Sequence, residues 1–90
     1  MTQLELQAFL AVTRTGSFSQ AAQSLFISQP ALSRRIRTLE EELDFRLLER
    51  QKGARSVEPT QEGRAFLIVV FMRTRRFQTF IDQDQLQAFI

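Results

Sequence analysis

The ninety-residue sequence predicts a mainly α fold: three helices and a two-stranded wing, followed by a long linker helix. Three observations carry this reading. Residues 17 to 43 hold two short amphipathic helical patterns joined by a tight turn. A basic, glycine-containing hairpin pattern follows them, and a long apolar helical pattern comes last. A steep helix pair with a basic hairpin behind it is the arrangement of a winged helix-turn-helix. The expected division is a winged domain over residues 1–60 and a linker, dimerisation helix and tail over 61–90.

The first helix is expected over residues 3 to 15, with Leu6, Phe9, Leu10 and Thr13 on one face, Val12 beside it and Thr15-Gly16 as its end. In the second, Phe18, Ala21, Ala22 and Leu25 recur at the spacing of one buried helical face, with Ser19 as the expected N-cap. Its two alanines allow close approach of a neighbouring helix. Phe26 and Ile27 break the period, and Ile27 is expected to plug the core from within the turn.

The third helix, over residues 28–43, begins with Ser28 as cap and Pro30 in the first turn, where proline loses no intrahelical hydrogen bond. Leu32, Ile36, Leu39 and Leu43 make its buried stripe. At about 100° per residue, the opposite face carries Pro30, Ser33, Arg34, Arg37, Thr38 and Glu41, with Gln29 at the exposed tip. Arg34, Arg35 and Arg37 lie in the first half, whereas Glu40, Glu41 and Glu42 lie in the second. The helix macrodipole disfavours that order by about 0.3–1 kcal/mol per charge. The order makes sense if the N-terminal half must meet phosphates and base edges and the other half stays clear of them.

Residues 45–49 and 55–58 read as two short strands with Gln51-Lys52-Gly53-Ala54 as the hairpin, and the tip carries Arg50, Lys52 and Arg55. Pro59-Thr60 ends the second strand, and Thr60 caps a final helix over residues 61 to 80. That helix is apolar all round, which requires burial on two sides. One side can pack on its own domain; a second copy of the chain is the simplest cover for the other. The residues expected at that dimer interface are Phe66, Leu67, Val70, Phe71 and Phe77. A strand through Phe66 to Met72 is the competing reading, since valine and isoleucine are enriched there.

Composition removes several function classes. The 43% apolar content suffices for one core, and there is neither cysteine nor histidine. Zinc fingers, disulfide scaffolds, Ser-His-Asp hydrolysis and Cys-His nucleophiles are therefore excluded, and no catalytic residue, metal ligand or cofactor is expected. Net charge is only +2, but eleven of the twelve basic residues are arginine, suited to bidentate contact with phosphate and guanine. The apolar run Ala65 to Met72 falls far short of the about 20 residues that span a bilayer. No signal peptide is evident, and a reducing, cytoplasmic setting is expected.

Several motifs in this chain together carry a family resemblance. They are Leu6-Gln-Ala-Phe9 with Ala11-Val12, Gly16-Ser-Phe-Ser-Gln-Ala-Ala22 with Leu25, and Ser28-Gln-Pro-Ala-Leu-Ser33 with Ile36. Leu39-Glu40 with Glu42-Leu43, Leu47-Leu48-Glu49-Arg50, and Thr60 with Gly63 complete the set. In these residues the chain resembles the DNA-binding domain of LysR-type transcriptional regulators, a bacterial family. The resemblance implies double-stranded DNA as partner, the helix that starts near Ser28 in the major groove, and the wing on the flanking backbone. By position, Ser28, Gln29, Pro30 and Ser33 would face base edges, Arg34 and Arg37 bases or phosphates, and Arg50 and Arg55 would reach out from the wing together with Lys52. It also implies a homodimer, or a higher oligomer in a full-length form.

The chain departs from the family at Asp44, which stands where glycine is usual, and at Pro59, where leucine is commoner. Residues 68 to 90 differ from the family's charged linker helix, and the large C-terminal effector-binding domain is missing, so no effector site is expected in this chain. The alternative function is a truncated dimerisation module that pairs with a longer regulator and binds DNA with little specificity of its own.

Overall fold

The structure is a computed structural model that describes residues 1–49 and 56–73. Thr2 opens helix α1 (Gln3–Thr15) through a capping box that the sequence reading missed. Its hydroxyl accepts from the Glu5 N–H at 3.2 Å, while the Glu5 carboxylate accepts from the Thr2 N–H at 3.3 Å. Gly16 closes the helix in the left-handed region (φ +70°), donating to the Val12 carbonyl at 2.8 Å. Phe9 and Val12 are buried as expected, and so are Ala8 and Ala11, so α1 is covered over a wider arc than its large residues suggested.

Helix α2 (Phe18–Ser24) is capped by Ser17, not Ser19. The Thr15 hydroxyl accepts from the Ser17 N–H at 3.3 Å and helps hold Ser17 at the extended entry, so its own hydroxyl accepts from Gln20 N–H at 3.2 Å. Ser19 therefore lies inside the first turn, on the exposed side. Ala21 and Ala22 are buried, and Phe18 and Leu25 pack against the core from its margins.

Helix α3 (Gln29–Leu43) starts at Ser28, whose hydroxyl accepts from Ala31 N–H at 3.2 Å. Leu32, Ile36 and Leu39 are fully buried between α1 and α2, and Leu43 lies at the edge of the core. Asp44 ends the helix in the left-handed region (φ +63°), the conformation for which glycine is the easier residue.

Beyond this corner the strands are shorter than expected. Only β1 (Leu48–Glu49) and β2 (Glu58–Pro59) pair, antiparallel, with Leu48 opposite Pro59 and Glu49 opposite Glu58. The ladder stops short of Phe45 because the Leu47 amide is diverted to a side chain, although the Leu47 carbonyl keeps the cross-strand bond next in register. The N–H of Leu47 donates to the Glu40 carboxylate at 2.8 Å, and its carbonyl accepts from Thr60 N–H at 2.9 Å. Pro59 lies within β2 and not just after it, which two strands allow because each has a free edge. The predicted hairpin tip, with Arg50, Lys52 and Arg55, lies outside the described residues.

Helix α4 (Gln61–Arg73) replaces the competing strand. Thr60 caps it, accepting from Gly63 N–H at 2.9 Å while donating to the Arg46 carbonyl at 2.6 Å. Gly63 is required by a close approach: a Cβ there would stand 2.2 Å from the Leu47 carbonyl oxygen. Of the residues expected at the dimer interface, two turn inward. Leu67 and Val70 are buried in the chain's own core, and Phe66 packs between Phe9 (ring centroids 6.0 Å apart) and Phe45 (6.4 Å, edge-on). Phe71 is half-buried against the same core, and Phe77 lies outside the described residues. The face that α4 leaves open is instead Ile68, Val69 and Met72. A physical constraint on the helix rotation lies at the start of the helix, where Thr60 N–H donates to the Leu47 carbonyl and only glycine at position 63 fits against the same carbonyl.

Candidate nucleic-acid interface

Because α3 buries one face completely, its opposite face is fixed in direction. Ser28, Gln29 and Pro30 are exposed at the N-terminal tip, Ser33 is half-buried just behind them, and Arg34 and Arg37 are exposed along the next two turns. Arg35 is half-buried on the flank. Thr38 is exposed on the same face, its hydroxyl donating to the Arg34 carbonyl at 2.9 Å. Among the described residues, no carboxylate forms an ion pair with Arg34 or Arg37. The two guanidiniums, together with the positive end of the helix dipole, make an anion-attracting surface studded with short polar side chains.

The acidic half of α3 acquires local reasons. Glu40 anchors the Leu47 amide, and Glu42 pairs with the amino group of Met1. Of the three acids, only Glu41 remains explained by charge order alone. At the base of the wing, Glu49 and Glu58 face each other across the ladder, and Arg64 approaches Glu58 at 3.9 Å. The wing's basic residues are outside the described residues, so the structure brings together only the α3 part of the predicted site.

Two surface features escaped the sequence reading. Phe26, in the link between α2 and α3, is 94% exposed. Its signal was present in the sequence, as an aromatic residue at a helix end where glycine is usual. The other is a groove between the end of α1, β2 and the flank of α4, lined by Thr13, Val57, Pro59, Arg64, Ile68 and Phe71 among others. It contains no residue of α3.

Residues 4–64 match the family of bacterial regulatory helix-turn-helix proteins, lysR family. The chain belongs to that family. Among its lysR-type relatives, the HTH-type transcriptional regulator BenM of Acinetobacter baylyi is 52% identical over 61 residues, 68% of this chain and 19% of BenM. An uncharacterised HTH-type regulator of Azotobacter vinelandii is 50% identical over 62 residues, 69% of this chain and 42% of that protein. The chain thus spans less than half the length of these two relatives. Among solved structures, a complex of the BenM DBD with benA site 1 DNA superposes with a TM-score of 0.76 at 39% identity, covering 98% of this chain and 97% of that one. A CbnR DBD–DNA complex gives 0.73 at 36% identity, covering 89% and 85%. The four helices and the short antiparallel pair are those of a lysR-family winged helix-turn-helix. Among the described residues, no helix is long and apolar enough to cross a membrane.

Proposed function

We propose that this chain is the sequence-reading, double-stranded-DNA-binding part of a LysR-type transcription regulator. It acts in the cytoplasm as a homodimer, with residues 1–60 on DNA and the helix after Thr60 joining the two copies. The observation that carries the reading is the exposed row Ser28, Gln29, Pro30, Arg34 and Arg37 on a helix whose other face is locked into the core. The similar domains solved with DNA support it. Ser28, Gln29, Pro30 and Ser33 meet base edges. A bidentate pair of Gln29 with adenine, or of an arginine with guanine, is worth about 1–3 kcal/mol of discrimination. Arg34 and Arg37, with Arg50, Lys52 and Arg55 of the wing, neutralise phosphates, and each phosphate neutralised steepens the log–log salt dependence by about −0.9.

For the dimer, α4 offers Ile68, Val69 and Met72, flanked by the half-buried Phe71. The residues turned into the core take no part. The alternative of a pairing module without specific DNA binding is not favoured, because the family match and the similar domains solved with DNA support DNA binding.

Selection from a random-sequence duplex pool at near-physiological salt, with Arg34→Ala alongside, tests the proposal. Enrichment of an inverted repeat that is lost in the variant is the expected result, and its half-site spacing reports the dimer directly. Enrichment of a single half-site would reject the dimer. Salt-labile binding without enrichment would reject sequence reading and return the pairing module.

A further inference from the structure

The link between α2 and α3 holds a phenylalanine that the core does not use. α2 ends in a Schellman-type closure, in which Phe26 N–H donates to the Gln23 carbonyl at 3.2 Å and Ile27 N–H to the Ala22 carbonyl at 3.1 Å. That closure places its penultimate residue in the left-handed region, and Phe26 has φ +58°. Glycine is the ordinary occupant, because a Cβ crowds the following carbonyl there. Phe26 therefore holds a conformation unfavourable for a bulky residue, and it also presents a ring that is 94% exposed. The other described phenylalanines, Phe9, Phe18, Phe45, Phe66 and Phe71, all pack on the core. Ile27, its neighbour, packs inward, leaving Phe26 to project just before the exposed tip formed by Ser28 and Gln29.

Both features work against the isolated domain, and a partner that covers the ring would offset its exposure. The partner at this tip is the one the preceding section assigns, and this inference rests on that assignment. Phosphates offer a phenyl ring nothing, and the amide and carbonyl edges of the bases want hydrogen bonds. The apolar group exposed in the major groove is the C5 methyl of thymine. We propose that Phe26 is a further specificity residue, whose ring packs on a thymine methyl at the edge of the base pairs read by Gln29.

The test uses the full chain and a duplex that it has selected. Each thymine is replaced singly by deoxyuridine, which removes the methyl and leaves the hydrogen-bonding edge intact. Wild type should lose about fourfold in affinity at one thymine beside the base pair sensitive to Gln29→Ala, the worth of one buried carbon group. Phe26→Ala and Phe26→Gly should lose at least as much on the thymine duplex and be indifferent to deoxyuridine at that position. Phe26→Gly should meanwhile raise the thermal unfolding midpoint, by about 4 °C, because glycine suits the left-handed backbone. Weaker binding by a more stable protein excludes damage to the fold. Equal losses of the alanine variant on both duplexes would put the ring on deoxyribose and overturn thymine reading. Unchanged affinity in both variants would overturn any DNA contact by Phe26. If wild type selects no sequence at all, the assignment of DNA reading fails first, before any Phe26 variant is compared, and this proposal falls with it.

Discussion

Helices α3 and α4 are of similar length and both contribute buried residues to one core, yet they carry opposite kinds of pattern. α3 alternates sharply: Leu32, Ile36 and Leu39 are inside, while Pro30, Arg34 and Arg37 are outside. Its periodicity alone determines which side faces the core and hence which side is free to meet a ligand. α4 is apolar from Ala65 to Met72, so its sequence names no inside. Leu67 and Val70 turn inward, and Ile68, Val69 and Met72 turn outward, although their side chains are chemically alike. Periodicity specifies orientation only where polar residues rule out the other rotations.

Substitutions can break or sharpen this contrast. The largest effect should come from paired truncations, Ile36→Ala in α3 and Leu67→Ala in α4. Each should cost about 2–5 kcal/mol in denaturant unfolding, as for a large residue removed from a packed interior. A loss below about 0.5 kcal/mol for Leu67→Ala, the range of a surface site, would mean that α4 is rotated from the orientation described. Next in size is Gly63→Ala, which should cost about 1–3 kcal/mol by overpacking, because its Cβ would meet the Leu47 carbonyl oxygen. A neutral result would show that the start of α4 can move away from the α3–β1 corner.

A smaller effect of opposite sign is expected at the end of α3. Asp44→Gly should stabilise the fold by up to about 1 kcal/mol, since it relieves a left-handed backbone at a non-glycine residue. Loss of stability there would indicate a role for the carboxylate that its backbone conformation does not reveal. The smallest effect on the monomer belongs to Ile68→Ser, within about 0.5 kcal/mol by unfolding at low protein concentration. The same variant should weaken self-association in sedimentation, and an unaltered dimer would remove Ile68 from the proposed interface.

Much of the recognition half was legible because its signals are local. Ser28 and Pro30 start α3, the leucine–isoleucine stripe orients it, and Gly16 stops α1, each within one helical turn of the residues it governs. Misreadings arose where two local signals compete. Ser17 and Ser19 are both good caps, and the Thr15 hydroxyl, through its contact with the Ser17 backbone, favours the former. The strands were read too long because Phe45 to Leu48 look extended. Their length is set by Glu40, which takes the Leu47 amide away from the ladder and leaves the Leu47–Thr60 pair, next in register, with one cross-strand bond. Glu40 itself looked like one of three acids arranged for a distant charge, until its contact across the corner gave it a nearer task.

By itself, the sequence determined the helix order, the caps at Thr60 and Ser28, and the face of α3 that carries Gln29, Arg34 and Arg37. These follow from hydrogen-bonding and periodic constraints that neighbouring residues impose on one another. Only the tertiary structure decided which apolar side of α4 is core, why Gly63 must lack a side chain, and that Phe26 stands exposed in a left-handed turn. Those depend on where distant backbone segments meet. The approach of Leu47 to Gly63 constrains the rotation of a helix whose own residues would accept several.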